Sequence, residues 1–282
     1  MERIKMLIDT DMGGDIDDAI AIAMALNTPE IDVLGVTTLY FSNQWRKENI
    51  QKMMRAYDRP EIPVYRGAEC PLLGTWSEDY PRDRCLPNEA VPFIIDTCRA
   101  NPGLTLLAIA PLTNVALALQ IAPDIAKTTR IFVMGGMITC AHPEWNIQCD
   151  PEAARIVLES GAEITLVGLD VTEKCKLQHA EIRELMAADT QKMAFMRGEL
   201  ERFYQMFDFL PTLHDPLTLA AVLWPELFTF EMKDICVETA PGCARGVTLD
   251  RRFSAHPHVR CATGVDAAEA VRRMCQRMTG EA

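Results

Sequence analysis

The sequence predicts an α/β protein built on an open, mostly parallel sheet with helices on both faces. Two observations carry that prediction. Short apolar runs alternate with helical patterns along much of the 282 residues, and this βαβ rhythm belongs to parallel sheets covered on both sides. The first run, Arg3-Ile-Lys-Met-Leu-Ile8, also opens straight into Asp9-Thr-Asp-Met-Gly-Gly-Asp-Ile-Asp-Asp18 and then into the apolar helix pattern Ala19–Leu26. Open α/β sheets bind ligands where strands end and helices begin.

The remaining elements follow in chain order. A second strand is expected at Val33–Thr37 and a helix over 43–57. Glu69 to Pro87, with its prolines and charges, reads as a long loop of the kind that often carries function. Strands at Thr105–Ile109, Ile131–Met134 and Ile164–Val167 alternate with helices over 88–100, 113–121 and 151–159. After Asp170 the pattern turns mainly helical, across 179–207 and 215–223, before a last strand at Ile235–Glu238 and a closing helix over 266–279. No linker, repeat or composition break interrupts the chain, so residues 1–282 are expected to form one domain.

Composition narrows the function. A formal charge of −12 and a pI near 4.9 oppose binding to nucleic acid or an anionic membrane. No apolar run approaches the ~20 residues of a membrane span. The amino terminus runs into a strand without a signal-peptide pattern, which points to the cytoplasm. Ten cysteines without a CxxC pair read as reduced thiols there.

Five carboxylates in ten residues repel one another and call for a cation or a shared proton. A hard divalent cation with oxygen ligands is the natural neutraliser. Stabilisation by a helix dipole would account for Asp17 and Asp18 alone. An EF-hand fails, because Gly13 stands where Asp or Asn is needed and Ile20 stands in the twelfth position. An aspartyl phosphatase is a weak alternative: Met12-Gly-Gly14 follows the DxD, and Lys174 and Lys176 stand in no recognisable pattern.

Four further segments narrow the choice: Ala110-Pro-Leu-Thr-Asn-Val115, Met134-Gly-Gly136, Pro143-Glu-Trp-Asn-Ile-Gln-Cys-Asp-Pro-Glu-Ala-Ala154 and Leu213-His-Asp-Pro-Leu217. With the Asp-rich start, they resemble the nucleoside hydrolase family of the inosine-uridine preferring type, whose patterns look like DxDxGxDDA, PLTN, MGG, AEWN-xxx-DPEAA and HDP. The resemblance covers nearly the whole chain, and the combination in this order is specific.

It implies a Rossmann-like sheet and a Ca²⁺-dependent enzyme that hydrolyses the N-glycosidic bond of a ribonucleoside. By position, Asp11 matches the general base that deprotonates a calcium-bound water. Asp18 and Asp215 match calcium ligands, joined by Asp11 and the backbone carbonyl of Thr113. Asp17 matches the residue gripping the ribose 2′-hydroxyl, Glu144 and Asn146 those holding the other hydroxyls, and Asn43, one position off in spacing, a further ribose contact. His214 matches a histidine near the leaving base, a candidate proton donor. Relatives of this kind are homodimers or homotetramers.

The chemistry is coherent. Bond cleavage builds positive charge on the ribose, and a carboxylate-rich pocket stabilises that charge more than the neutral ground state. A non-catalytic nucleoside-binding protein of the same fold is the rival, disfavoured because a binder has no need of a base at Asp11.

Departures from the family leave points open. The start is two residues longer than the common DPGxDD, so Asp15, Asp17 and Asp18 compete for the metal. No histidine stands in 69–87, which leaves leaving-group activation to His214, Cys140, His142 or no acid, and the preferred base unreadable. Local alternatives also stand. Asp215 before Pro216, Thr113 and Asn114 can each be helix-start residues, and Asp150 is expected to cap the helix after it. Trp145 reads as a packing residue, and the Met and Phe residues of 193–209 as an amphipathic core stripe, with room for part of it to border the base pocket.

Overall fold

The computed structural model describes residues 3–40, 43–73, 88–187, 190–252 and 254–280. Part of the expected 69–87 loop therefore lies outside the described residues.

Strands β1 (Ile4–Thr10), β2 (Ile31–Thr38), β3 (Val64–Arg66), β4 (Thr105–Ala108), β5 (Arg130–Met134), β6 (Glu163–Val167), β7 (Phe228–Lys233) and β10 (Val259–Val265) form one sheet in the order β3-β2-β1-β4-β5-β6-β10-β7. Every neighbouring pair is parallel except β10 and β7. A separate antiparallel ribbon joins β8 (Ile235–Val237) to β9 (Thr248–Asp250).

The helices are α1 (Asp17–Asn27), α2 (Asn43–Ala56), α3 (Ala90–Ala100), α4 (Thr113–Ile121), α5 (Trp145–Cys149), α6 (Pro151–Leu158), α7 (Leu169–Thr172), α8 (His179–Ala187), α9 (Gln191–Met206), α10 (His214–Leu223) and α11 (Ala267–Thr279). Alternation along β1 divides the core between the two faces. Met6 and Ile8 join a cluster with α1, α2, α9, α10 and α11. Leu7 joins one with α3, α4 and α6.

The strand order reverses between β1 and β4, where Asp9 pairs with Ala108 and Ile109 donates its amide to the Asp9 carbonyl at 2.9 Å. Such a switch point opens a crevice outside the strand ends. The Asp-rich loop leaves β1 into that crevice.

Several expectations change. The stretch 179–207 is two helices, with Thr190 capping the second through the Met193 amide. Ile235–Val237 belongs to the ribbon, not to the main sheet. The expected reduced state of all ten cysteines is corrected: Cys70 is disulfide-bonded. Eight others are free thiols, and Cys85 lies outside the described residues.

Candidate active site

A cavity of about 820 Å³ opens at the carboxyl end of β1. Its walls include Asp11, Asp15, Asp17, Asp18, Glu144, Asn146, His214 and Asp215, so three sequence segments far apart in the chain converge here. Asp17, Asp18 and Asp215 form its centre: an oxygen from each lies within 4.8 Å of the others, and all three are buried. The first turn of α1 supplies Asp17 and Asp18, and the first turn of α10 supplies Asp215. The Thr10 hydroxyl donates to Asp18. Asp17 accepts the backbone N–H of Asp215 at 3.3 Å.

Burial pushes the carboxyls of Asp17, Asp18 and Asp215 well above the ordinary range, and repulsion from neighbouring aspartates pushes them further. An oxygen-liking cation relieves both penalties, and the donor set is all carboxylate. These residues fit a hard divalent ion.

Asp11 stands beside them, outside that three-residue group, with its Oδ2 3.8 Å from Arg46 Nη1. Burial raises its carboxyl and the Arg46 charge opposes the rise. Behind it, Asp9 accepts from the Thr37 hydroxyl at 2.5 Å and from the Asn114 amide at 2.9 Å. Burial still drives Asp9 up to about 7.

Glu144 has a structural job that its motif does not reveal. It caps α5 by accepting from the Asn146 and Ile147 amides at 2.8 and 3.1 Å, and it accepts from the Gly136 amide at 3.0 Å. This ties the Met134-Gly-Gly136 turn to the wall of the cavity. Asn146 donates its side-chain amide to the Met134 carbonyl at 3.2 Å. His214 Nδ1 shares a hydrogen bond with the Thr172 hydroxyl at 2.7 Å, and burial lowers the ring pKa to about 4.

Two expected site residues lie behind the wall. Asn43 donates to the Gly67 and Ala68 carbonyls at 3.0 and 3.4 Å and is not among the lining residues. The Thr113 hydroxyl donates to Asp150 at 2.7 Å and also bonds the Tyr40 hydroxyl.

The helix-start alternatives separate cleanly. Asp150 caps α6 through the Ala153 amide at 3.0 Å. Thr113, Asn114 and Asp215 cap nothing, because Leu112 and Leu213 hold the cap positions. Asn114 instead accepts from the Ala68 amide and donates to Asp9 and to the Thr38 carbonyl. Trp145 is corrected from packing residue to cavity rim, at 60% exposed. Lys174 and Lys176 do not line the cavity, which removes the phosphatase's phosphate-binding lysine.

Tyr40, Arg46, Gln148 and Leu169 also line the cavity, although their local sequence does not mark them as site residues. Only Arg46 carried a signal, a cation in the helix that follows a strand end. Phe207 closes one wall, as expected for the end of the α9 stripe.

A buried carboxylate centre at the switch point of a doubly wound sheet defines an α/β protein with a metal site and a small-ligand cavity. Residues 6–272 match the model of the inosine-uridine preferring nucleoside hydrolases. A probable uridine nucleosidase 2 of Arabidopsis thaliana is 33% identical, over 98% of both chains. The pyrimidine-specific ribonucleoside hydrolase RihA of an Escherichia coli O81 strain is 34% identical, over 87% of this chain and 88% of its own. The solved plant nucleoside hydrolase PpNRh1 superposes with a TM-score of 0.86 at 28% identity, covering 98% of this chain and 99% of its own. The chain belongs to the inosine-uridine preferring nucleoside hydrolase family. It is an N-ribosyl hydrolase that splits a ribonucleoside with water into base and ribose.

Proposed function

We propose that this hydrolysis depends on Ca²⁺ and that pyrimidine ribonucleosides, uridine first, are the substrates. The carrying observation is the convergence of Asp17, Asp18 and Asp215 beside Asp11. The uridine nucleosidase and pyrimidine-specific relatives support the choice of base.

Asp18 and Asp215 would hold the ion, with Asp11 beside them and Thr113, behind the cavity wall, outside the set. Bound there, the ion supplies Lewis acidity that orients ribose hydroxyls and makes water a better nucleophile. Asp11 takes the proton from the attacking water at its carboxylate. Asp17, Glu144 and Asn146 accept or donate to the ribose hydroxyls, and Asn43 reaches the ribose only if its amide leaves Gly67 and Ala68. As the N-glycosidic bond breaks, charge grows on the ribose ring, and the fixed carboxylates around it stabilise that charge.

His214 acts on the departing base. Its ring is uncharged at neutral pH, because burial holds its pKa near 4. It therefore contributes a hydrogen bond to the base and not an imidazolium proton. Trp145 and Phe207 supply apolar walls for the base.

The reading extends to a single domain over residues 1–282 that works in the cytoplasm as a homodimer or homotetramer. Its substrate is a free nucleoside, and the −12 charge opposes nucleic acid as an alternative.

Ribose release from uridine, before and after chelation and then with Ca²⁺ or Mg²⁺ restored, tests the proposal. Activity lost on chelation and recovered with Ca²⁺ supports it. Activity that survives exhaustive chelation rejects the metal dependence.

A further inference from the structure

Arg46 is the one lysine or arginine among the described residues lining the cavity, and it sits in the first turns of α2. Its guanidinium is buried and faces Asp11 at 3.8 Å, a charge contact longer than a hydrogen bond. The residue before it grips the same loop. A Cβ on Gly13, whose φ is +131°, would stand 2.4 Å from Trp45 Cζ3. Trp45 is backed by the Arg202 guanidinium, 4.7 Å from its ring. Arg202 pairs with Glu199, which accepts from Asn49 of α2 at 3.1 Å. Helices α2 and α9 thus hold Trp45 and Arg46 as two fixed fingers on the Asp11–Gly14 loop.

A cation so placed does two things. It gives Asp11, which stands outside the group formed by Asp17, Asp18 and Asp215, a fixed counter-charge on the α2 side of the cavity. It also adds positive charge to the wall of the same cavity that holds the cluster, and like charges repel a bound cation.

We propose that Arg46 is a positioning residue: a resident cation that fixes the Asp11 carboxylate for water activation and limits the affinity of the carboxylate cluster for divalent metal. This rests on the reading of Asp11 as base and of the cluster as a calcium site. Calorimetric titration of the chelator-stripped full chain with Ca²⁺ tests Arg46 without requiring turnover. Ribose release by the unaltered enzyme tests the parent reading separately.

For Arg46→Gln, calcium is expected to bind about tenfold more tightly, because one opposing charge is gone. Its kcat is expected to fall about a hundredfold, with KM changed less than about threefold, as for a lost transition-state contact. Arg46→Lys keeps the charge but not the fork. It should restore calcium affinity to within about threefold of the parent while recovering kcat only in part.

Calcium affinity of Arg46→Gln within about twofold of the parent overturns the proposal, whatever the turnover. Weaker calcium binding together with a lower melting temperature of the loaded protein also overturns it, since that pattern marks a merely structural residue.

Discussion

The backbone N–H of Asp215 donates to the Asp17 carboxylate at 3.3 Å, joining two residues separated by 198 positions. This bond pins the start of α10 to the start of α1 and sets the third carboxylate of the cluster against the other two. The metal site is therefore a product of tertiary packing between two helix starts. Its three carboxylates meet where α10 packs against α1.

Asp11 and Glu144 should separate function from stability. Asp11 leaves β1 on a loop, and among the described residues its one ion pair is the long contact to Arg46. Asp11→Ala is expected to abolish ribose release while moving the melting temperature little. Near-parental activity in that variant would remove it as the base. Glu144→Ala, by contrast, strands the Gly136, Asn146 and Ile147 amides. It should cost about 1–3 kcal/mol of stability as well as activity. Denaturant unfolding distinguishes the two.

Metal and pH should act on stability together. Without a cation, the folded-state carboxyls of Asp17, Asp18 and Asp215 are raised above their ordinary values. In the unfolded chain they titrate at about 4. Above that pH the folded chelated protein binds more protons than the unfolded one, so its stability falls as pH rises. Surface carboxylates such as Glu269, held at about 2 by Arg272 and Arg273, are already ionised in this window. The melting temperature of chelated protein is expected to drop between about pH 5 and pH 8, and saturating Ca²⁺ should flatten or reverse the slope. A flat profile without metal would contradict the account of the cluster.

His214 should matter most when the leaving base is poor. His214→Ala is expected to slow uridine cleavage by about 10- to 100-fold, the range of one lost charge-stabilising hydrogen bond. A nitrophenyl riboside, whose leaving group departs unaided, should lose much less. Equal losses on the two substrates would show that the ring does not act on the base.

Much of the site was legible in the sequence because its carboxylates crowd into ten residues between a buried strand and an apolar helix. The DPEAA segment gave Asp150 as a cap, and Asp150 caps α6. What stayed hidden depends on contacts across the chain. Strand β7 is an edge strand with half its residues open to solvent, so Phe228–Lys233 carries little of the apolar run that marks the central strands. Asn43 looked like a ribose contact, but its amide is spent on the backbone of Gly67 and Ala68. Glu144 looked purely functional, because a glutamate is an uncommon cap and Gly136 lies eight positions away. Arg46 belongs to none of the motifs and shows only as a cation in the helix after a strand end. Its meaning comes from a loop 35 positions earlier in the chain.

The most direct test compares uridine with 2′-deoxyuridine on the calcium-loaded enzyme. If buried carboxylates grip the ribose, loss of the 2′-hydroxyl leaves Asp17 with the Asp215 amide but without its sugar partner. The deoxynucleoside should then be cleaved at least about a hundredfold more slowly in kcat/KM. Equal cleavage of the two would contradict the claim that the cluster works through the ribose.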